Sequence, residues 1–153
     1  ATVDEHHVNE LYNWGYDPHN YFTPEGWYAT DAADPYCRIR ELRELINECH
    51  KAGIGVLLDV VYNHMAGTQF LDDIVPGYYF RTNAKGGFTS NSGCGNDTAT
   101  ERTMMKRLVV DSTSHWVKNY KVDGFRFDLM GLMEAFIVGM VIYSCLHQKV
   151  IRF

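Results

Sequence analysis

A helical pattern followed directly by an unbroken apolar segment places the strongest constraint on the fold of this chain. Between Tyr36 and Ala52, apolar residues recur every three or four positions, which is typical of an amphipathic helix, and Gly53 can end it. The segment from Ile54 to Tyr62 is almost continuously apolar and rich in β-branched residues. It predicts a strand of a parallel sheet that is buried on both faces.

The same order of elements recurs in the second half of the chain. A second helical pattern runs to Tyr120, and Thr98 and Glu101 have the spacing of a capping box at its start. Helix capping also explains the glycosylation-like triplet that begins at Asn96. Residues 123–128 then predict a second short strand. This helix–strand alternation predicts an α/β fold with parallel strands joined by crossover connections.

Composition excludes several classes of protein. The chain has 153 residues, is 46% apolar and carries a net charge of -5. Such a chain can bury a core, so disorder is excluded as its main state. The acidic balance and the lack of a Lys/Arg run argue against a nucleic-acid partner. The apolar run Ala135–Leu146 is shorter than the roughly 20 residues of a membrane helix, so no membrane partner is expected.

Polar residues cluster where the two predicted strands end, which is where parallel α/β folds bind ligands. They are Asp59, Asn63 and His64 on the first strand and Arg126 and Asp128 on the second. Because side chains alternate along a strand, Arg126 and Asp128 point the same way and can pair. The guanidinium would keep Asp128 ionised, as a nucleophile requires, although a purely structural ion pair fits the spacing equally well.

The other three polar residues leave alternatives open. His64 is either a donor to a ligand hydroxyl or a loop histidine bonded to backbone. Asn63 suits a metal ligand, a sugar contact or a turn residue. Asp59 lies within an apolar strand and needs a partner, which favours a structural role in holding Arg126 or the following turn.

Three segments resemble those of a known enzyme family. Asp59-Val-Val-Tyr-Asn-His64 resembles the first signature region of the alpha-amylase superfamily (glycoside hydrolase family 13), and Gly124-Phe-Arg-Phe-Asp-Leu-Met-Gly131 resembles the second. Tyr12-Asn-Trp-Gly-Tyr-Asp-Pro18 is similar to a heptapeptide of type I pullulanases, which cleave α-1,6 branch linkages in pullulan, starch and glycogen. The resemblance therefore implies a debranching hydrolase whose partner is an α-glucan.

The resemblance also implies roles for individual residues. It makes Asp128 the catalytic nucleophile and Arg126 the residue that orients and ionises it. It places His64 against the sugar next to the scissile bond and Tyr16 in a stacking contact with that sugar. Trp14 is a further candidate for a sugar contact.

Asn63 matches a position that helps to bind calcium in some members of the family. Debranching members do not reliably use it in this way. We therefore predict no metal and no cofactor here and keep Asn63 as a candidate substrate-binding residue.

The resemblance extends from residue 1 to Leu132 and implies an incomplete (β/α)8 TIM barrel fragment with about two strands and their helices. Residues 133–153 depart from the family pattern and are expected to be an atypical tail. The family's general acid is a Glu after the fifth barrel strand, and Glu134 is not in that motif. We therefore expect the chain alone to be inactive.

Three other interpretations stay open at this point. The chain could belong to another hydrolase of the same superfamily, such as an isoamylase or an α-1,4 amylase. It could be a non-catalytic remnant that binds glucan through Tyr16, Trp14 and His64, or a sequence without a function of its own.

Overall fold

The computed structural model describes residues 14–134. Its helices and strands, in chain order, are α1 (Cys37–Lys51), β1 (Leu57–Val60), α2 (Gln69–Asp72), α3 (Thr103–His115) and β2 (Gly124–Phe127). A π-helical turn continues α3, and single 3-10 turns lie early in the chain and after β2; they are Trp116–Tyr120, Gly26–Tyr28 and Met130–Leu132. The two strands pair in parallel, with Leu57 opposite Gly124 and Val60 opposite Phe127. The predicted α/β alternation and parallel pairing are confirmed.

Helix α1 has the bounds that the sequence predicts to within one residue. Ile46 on its apolar face is 1% exposed. After Ala52, the chain turns at Gly53, whose φ of +74° is accessible to glycine without strain. The Gly53 N–H donates to the carbonyl of His50 at 2.9 Å, so one of the last helical carbonyls is satisfied.

Strand β1 is shorter than predicted and is buried on one face only. Leu58 and Val60 pack against the core, whereas Leu57 is 66% exposed and Asp59 is also exposed. The prediction of two buried faces is wrong for this strand, because residues 14–134 leave the Leu57 side chain uncovered.

Helix α3 begins at Thr103, so the predicted capping box at Thr98 and Glu101 is wrong. Tertiary hydrogen bonds occupy both side chains. The Thr98 hydroxyl donates to the carbonyl of Tyr62 at 2.6 Å, and the Glu101 carboxylate accepts from Arg81 at 2.8 Å. These partners are distant in sequence, and helix-capping rules do not foresee them.

The core lies between α1, α3 with its π-helical turn, and the covered face of the sheet. Two of its polar groups have partners inside the core: the Tyr62 hydroxyl lies 2.7 Å from Ser112 Oγ, and the Trp116 indole N–H donates to the carbonyl of Tyr21. Its buried members are Tyr21, Ile46, Tyr62, Met65, Phe80, Met105, Val109, Trp116, Val117, Tyr120, Val122 and Met133. This core fixes the two strand ends relative to each other.

The chain remains tied to the fold through Glu134. Arg81 donates to the carbonyl of Leu132 at 3.0 Å, and the Glu134 N–H donates to Thr100 Oγ1 at 3.0 Å. The apolar run Ala135–Leu146 lies outside the described residues. Within residues 14–134, no helix has the length and apolar character needed to cross a membrane.

One carboxylate fastens the other end of the sheet to α1. Asp123 Oδ2 accepts from the Val56 N–H at 2.7 Å and lies 2.8 Å from His50 Nε2. Burial raises the pKa of Asp123, but the hydrogen bonds from Val56 and His50 have the larger effect, so the pKa lies below the ordinary value of an aspartate. The resulting stabilisation is present above the unfolded-state pKa and is lost as the pH falls through the folded-state pKa.

Asp123→Asn should lower the free energy of unfolding by about 1 kcal/mol at neutral pH. The loss should shrink in acid, where the wild-type carboxylate is protonated. Urea denaturation at several pH values measures both effects. The control is Asp111→Asn, which removes only an exposed pair with Arg107 on α3. A loss in the Asp123 variant no larger than in this control would contradict the prediction.

Candidate active site

The register of the sheet places Asp59 directly opposite Arg126. Arg126 Nη1 donates to both carboxylate oxygens of Asp59, at 2.8 and 2.7 Å. The hydrogen bonds that Arg126 donates to Asp59, followed by the negative charge of Asp59, raise the pKa of Arg126, so the guanidinium stays charged. Asp59 is therefore the main partner of this arginine.

Asp128 lies one residue beyond β2 and shares the same guanidinium. Arg126 Nη2 donates to Asp128 Oδ1 at 3.2 Å, and the Asp128 N–H extends the sheet by donating to the carbonyl of Val60 at 2.9 Å. The Asp128 side chain is 26% exposed. The predicted pairing of Arg126 with Asp128 is present. The guanidinium bridges two carboxylates, however, and its contact with Asp128 is longer than its contacts with Asp59.

Tyr16 joins this charged group from the N-terminal segment. Its hydroxyl donates to Asp59 Oδ2 at 3.0 Å and accepts from Arg126 Nη1 at 3.3 Å. Trp14, two residues earlier, is 76% exposed. The structure thus brings Tyr16 to Asp59 and Arg126, whereas Trp14 is largely exposed.

Asn63 links the ends of the two strands. Its Nδ2 donates to the Asp128 carbonyl at 2.9 Å, and its Oδ1 accepts from His64 Nδ1 at 2.6 Å. The residue is 1% exposed. A cation would compete with His64 for the amide oxygen, and residues 14–134 contain no group of three or more His, Cys, Asp or Glu side chains suited to a metal. The residues described do not fit a calcium site at Asn63.

His64 is 2% exposed. With Nδ1–H directed at Asn63, its Nε2 lies 3.3 Å from Asp17 Oδ1. The Asp17 side chain is 57% exposed. A ligand hydroxyl can therefore reach Nε2 only by displacing Asp17, a residue that the sequence interpretation did not single out although it lies in the Tyr12–Pro18 motif.

The chain between Tyr62 and Ala66 is held by hydrogen bonds although it has left the sheet. Thr98 donates to the carbonyls of Tyr62 and Asn63, and the Tyr21 hydroxyl donates to the carbonyl of His64. The Asn96 side chain bonds to both the N–H and the carbonyl of Met65, and the carbonyl of Pro18 accepts from the N–H of Ala66. Periodicity cannot predict these hydrogen bonds, because the residues that form them lie in irregular segments.

Leu129, directly after Asp128, has a left-handed backbone with φ of 48°. A branched side chain rarely adopts this conformation, and strain of this kind concentrates at functional sites. The left-handed residue turns the chain immediately after the carboxylate. The sequence carries no glycine here that would have predicted the turn.

Comparison with known proteins gives a consistent result. The pullulanase of Bacillus subtilis is 43% identical over 136 residues, which are 88% of this chain and 19% of that protein. Pullulanase 1 of the Arabidopsis thaliana chloroplast is 48% identical over 146 residues, 91% of this chain and 15% of that protein. No protein-family model matches the chain.

The fold agrees with that of a solved pullulanase. The crystal structure of pullulanase from Paenibacillus barengoltzii, in complex with maltohexaose and alpha-cyclodextrin, superposes with a TM-score of 0.88 at 43% identity. The match covers 97% of this chain and 23% of that one. The chain thus spans less than a quarter of the length of each of these three proteins.

These findings show that the chain is similar to a segment of pullulanases, which is consistent with the partial domain of the alpha-amylase superfamily that its motifs predicted. The likeness to pullulanases holds both in sequence and in structure.

Proposed function

We propose that this chain forms part of the active site of a retaining glycoside hydrolase that cleaves α-1,6 branch linkages of pullulan, starch or glycogen. Asp128 is the nucleophile in this proposal. The observation that carries it is the Asp59–Arg126–Asp128 bridge at the ends of two parallel strands. The strands would be neighbours in a (β/α)8 barrel, whose active sites lie at such strand ends.

The bridge suits Asp128 to nucleophilic attack. Two short hydrogen bonds from Nη1 to Asp59 hold Arg126 in place, so its Nη2 meets Asp128 Oδ1 in a fixed direction. Within residues 14–134, no hydrogen bond reaches the second oxygen, Oδ2. That oxygen is the one that would bond to the anomeric carbon of a sugar, while the guanidinium donates to the other oxygen.

The reaction then proceeds in two displacements. Asp128 Oδ2 forms a bond to the anomeric carbon as the glycosidic bond breaks, and a general acid protonates the leaving oxygen. Water, deprotonated by the same group, next attacks the glycosyl-enzyme and releases Asp128. The anomeric configuration of the sugar is therefore retained.

Glu134 does not suit the role of general acid, because Lys106 Nζ lies 2.6 Å from its Oε2. The resemblance places the acid on a barrel strand outside the two described here. The 153-residue chain alone should therefore release no reducing ends from pullulan above the blank, since loss of the acid costs roughly 10² to 10⁴ in rate. Turnover by the purified chain at ordinary enzyme rates would refute the proposal that the general acid lies outside these two strands.

Sugar recognition is assigned to Tyr16, His64, Trp14 and Asn63. Trp14 offers an exposed ring for stacking, and His64 offers Nε2 once Asp17 has moved. Asn63 acts mainly by linking His64 to the backbone of Asp128. Titration of the chain with maltotriose tests this assignment: saturable binding supports it, and a lack of binding would contradict it.

The bond that is cleaved can be tested in a chimera in which residues 14–134 replace the matching segment of the Bacillus subtilis pullulanase. We call this protein the host chimera. Release of maltotriose from pullulan supports α-1,6 cleavage. Release of products cut at α-1,4 bonds would favour the other hydrolases of the superfamily.

A further inference from the structure

Asn96 forms two hydrogen bonds with the backbone of Met65 beside the candidate site. Its Oδ1 accepts from the Met65 N–H at 3.0 Å, and its Nδ2 donates to the Met65 carbonyl at 2.8 Å. Asn96 is 4% exposed, so water does not compete for these bonds. A primary amide is the side chain that can satisfy a backbone N–H and a backbone carbonyl together.

The clamp on Met65 limits the motion of the preceding residue, His64. The His64 carbonyl accepts from the Tyr21 hydroxyl at 2.9 Å, so the peptide group between these two residues is held from one side by Tyr21 and from the other by Asn96. This backbone sets where the imidazole lies. The ring then meets Asn63 Oδ1 at 2.6 Å and directs Nε2 toward Asp17.

We propose that Asn96 is a positioning residue for sugar binding, which acts by fixing the His64 ring through the backbone of Met65. The functional part of this inference rests on the proposed role of His64. Its structural part, the dependence of the ring on Asn96, can be measured without any ligand. Asn96 gains in this way a role that helix capping does not describe.

The test uses the whole 153-residue chain and the exchange of the His64 Nδ1 proton with solvent, followed by NMR. In Asn96→Ala, exchange of this proton should be faster on the order of tenfold or more, because the backbone beneath the ring loses two hydrogen bonds. Asn96→Asp keeps the side-chain volume and the acceptor but loses the donor, and should show a smaller increase in the same direction.

Two controls separate positioning from a general loss of stability. The buried indole N–H of Trp116, bonded to the carbonyl of Tyr21, reports on the whole fold in the same spectra. Asn83→Ala removes an asparagine that also accepts from two backbone N–H groups, those of Lys85 and Gly87, but in an exposed turn. Faster exchange at His64 with unchanged exchange at Trp116 supports the proposal. Equal changes at both sites, or none at His64, would overturn it.

Titration with maltotriose then distinguishes this inference from the proposed function. Both Asn96 variants should bind maltotriose more weakly, on the order of tenfold for Asn96→Ala, while Asn83→Ala binds as the wild type does. If both Asn96 variants bound maltotriose as tightly as the wild type does, the positioning role would be contradicted. If the wild type binds no maltotriose, the proposed role of His64 fails, and proton exchange alone decides the structural part.

Discussion

Asp128→Asn in the host chimera should reduce pullulan hydrolysis on the order of 10⁴-fold, because an amide cannot form the glycosyl-enzyme. The substitution keeps the shape of the side chain and the acceptor that faces Arg126 Nη2. Binding of substrate should therefore change far less than the rate. Steady-state release of reducing ends, fitted for kcat and KM separately, measures the effect.

A matched control for this variant is Asp73→Asn, which changes an exposed aspartate next to α2. Its activity should equal that of the unmodified chimera. If the Asp128 variant kept more than about a tenth of the activity, Asp128 could not be the nucleophile, since nucleophile removal costs far more than one power of ten.

Asp97→Ala should lower the free energy of unfolding of the chain by about 3 kcal/mol, the largest effect on stability that we expect. Asp97 is completely buried, and its carboxylate accepts from Thr89 Oγ1, both nitrogens of Asn91 and the Ser92 N–H, at 2.7 to 3.1 Å. Alanine leaves these four donors without their partner. Urea denaturation followed by circular dichroism gives the difference.

Asp31→Ala is the control for Asp97→Ala, because Asp31 also accepts from two backbone N–H groups but is exposed. It should cost less than about 1 kcal/mol. If the two variants were equally stable, the carboxylate of Asp97 would not organise the loop that carries Asn96.

The acid stability of the chain should depend on the same residue. Burial raises the pKa of Asp97, but hydrogen bonds from Asn91, Thr89 and Ser92 outweigh it and lower the pKa to about 2. With an unfolded-state pKa of about 3.9, the carboxylate contributes its full stabilisation above about pH 4 and loses it as the pH falls to about 2. Asp97→Ala should lack this part of the acid transition.

Local patterns predicted the elements whose hydrogen bonds are local. The periodicity of α1 and the glycine after it gave bounds correct to one residue, because an amphipathic helix satisfies its own backbone. Parallel pairing followed from the alternation of helix and strand. The spacing of Arg126 and Asp128 predicted that they share a face, since strand side chains alternate.

Long-range hydrogen bonds explain what the sequence did not predict. Thr98 and Glu101 have capping-box spacing, yet Tyr62 and Arg81 engage them, so α3 starts later. Asp59 was expected to hold Arg126 or the following turn, but which of the two it holds, and its contact with Tyr16, depend on how distant segments meet. Motif resemblance pointed to the candidate site residues, whereas the hydrogen bonds between them are visible only in the three-dimensional structure.

The central claim is that Asp128 bonds covalently to the anomeric carbon of glucose. In the most direct test, the host chimera is treated with a 5-fluoro-maltosyl fluoride, which slows hydrolysis of the glycosyl-enzyme so that the intermediate accumulates. The labelled peptide is then identified by mass spectrometry. We predict one maltosyl adduct, on the peptide that contains Asp128, and none in Asp128→Asn. An adduct on another carboxylate, or a chimera that turns over pullulan with inversion at the anomeric carbon, would contradict the claim.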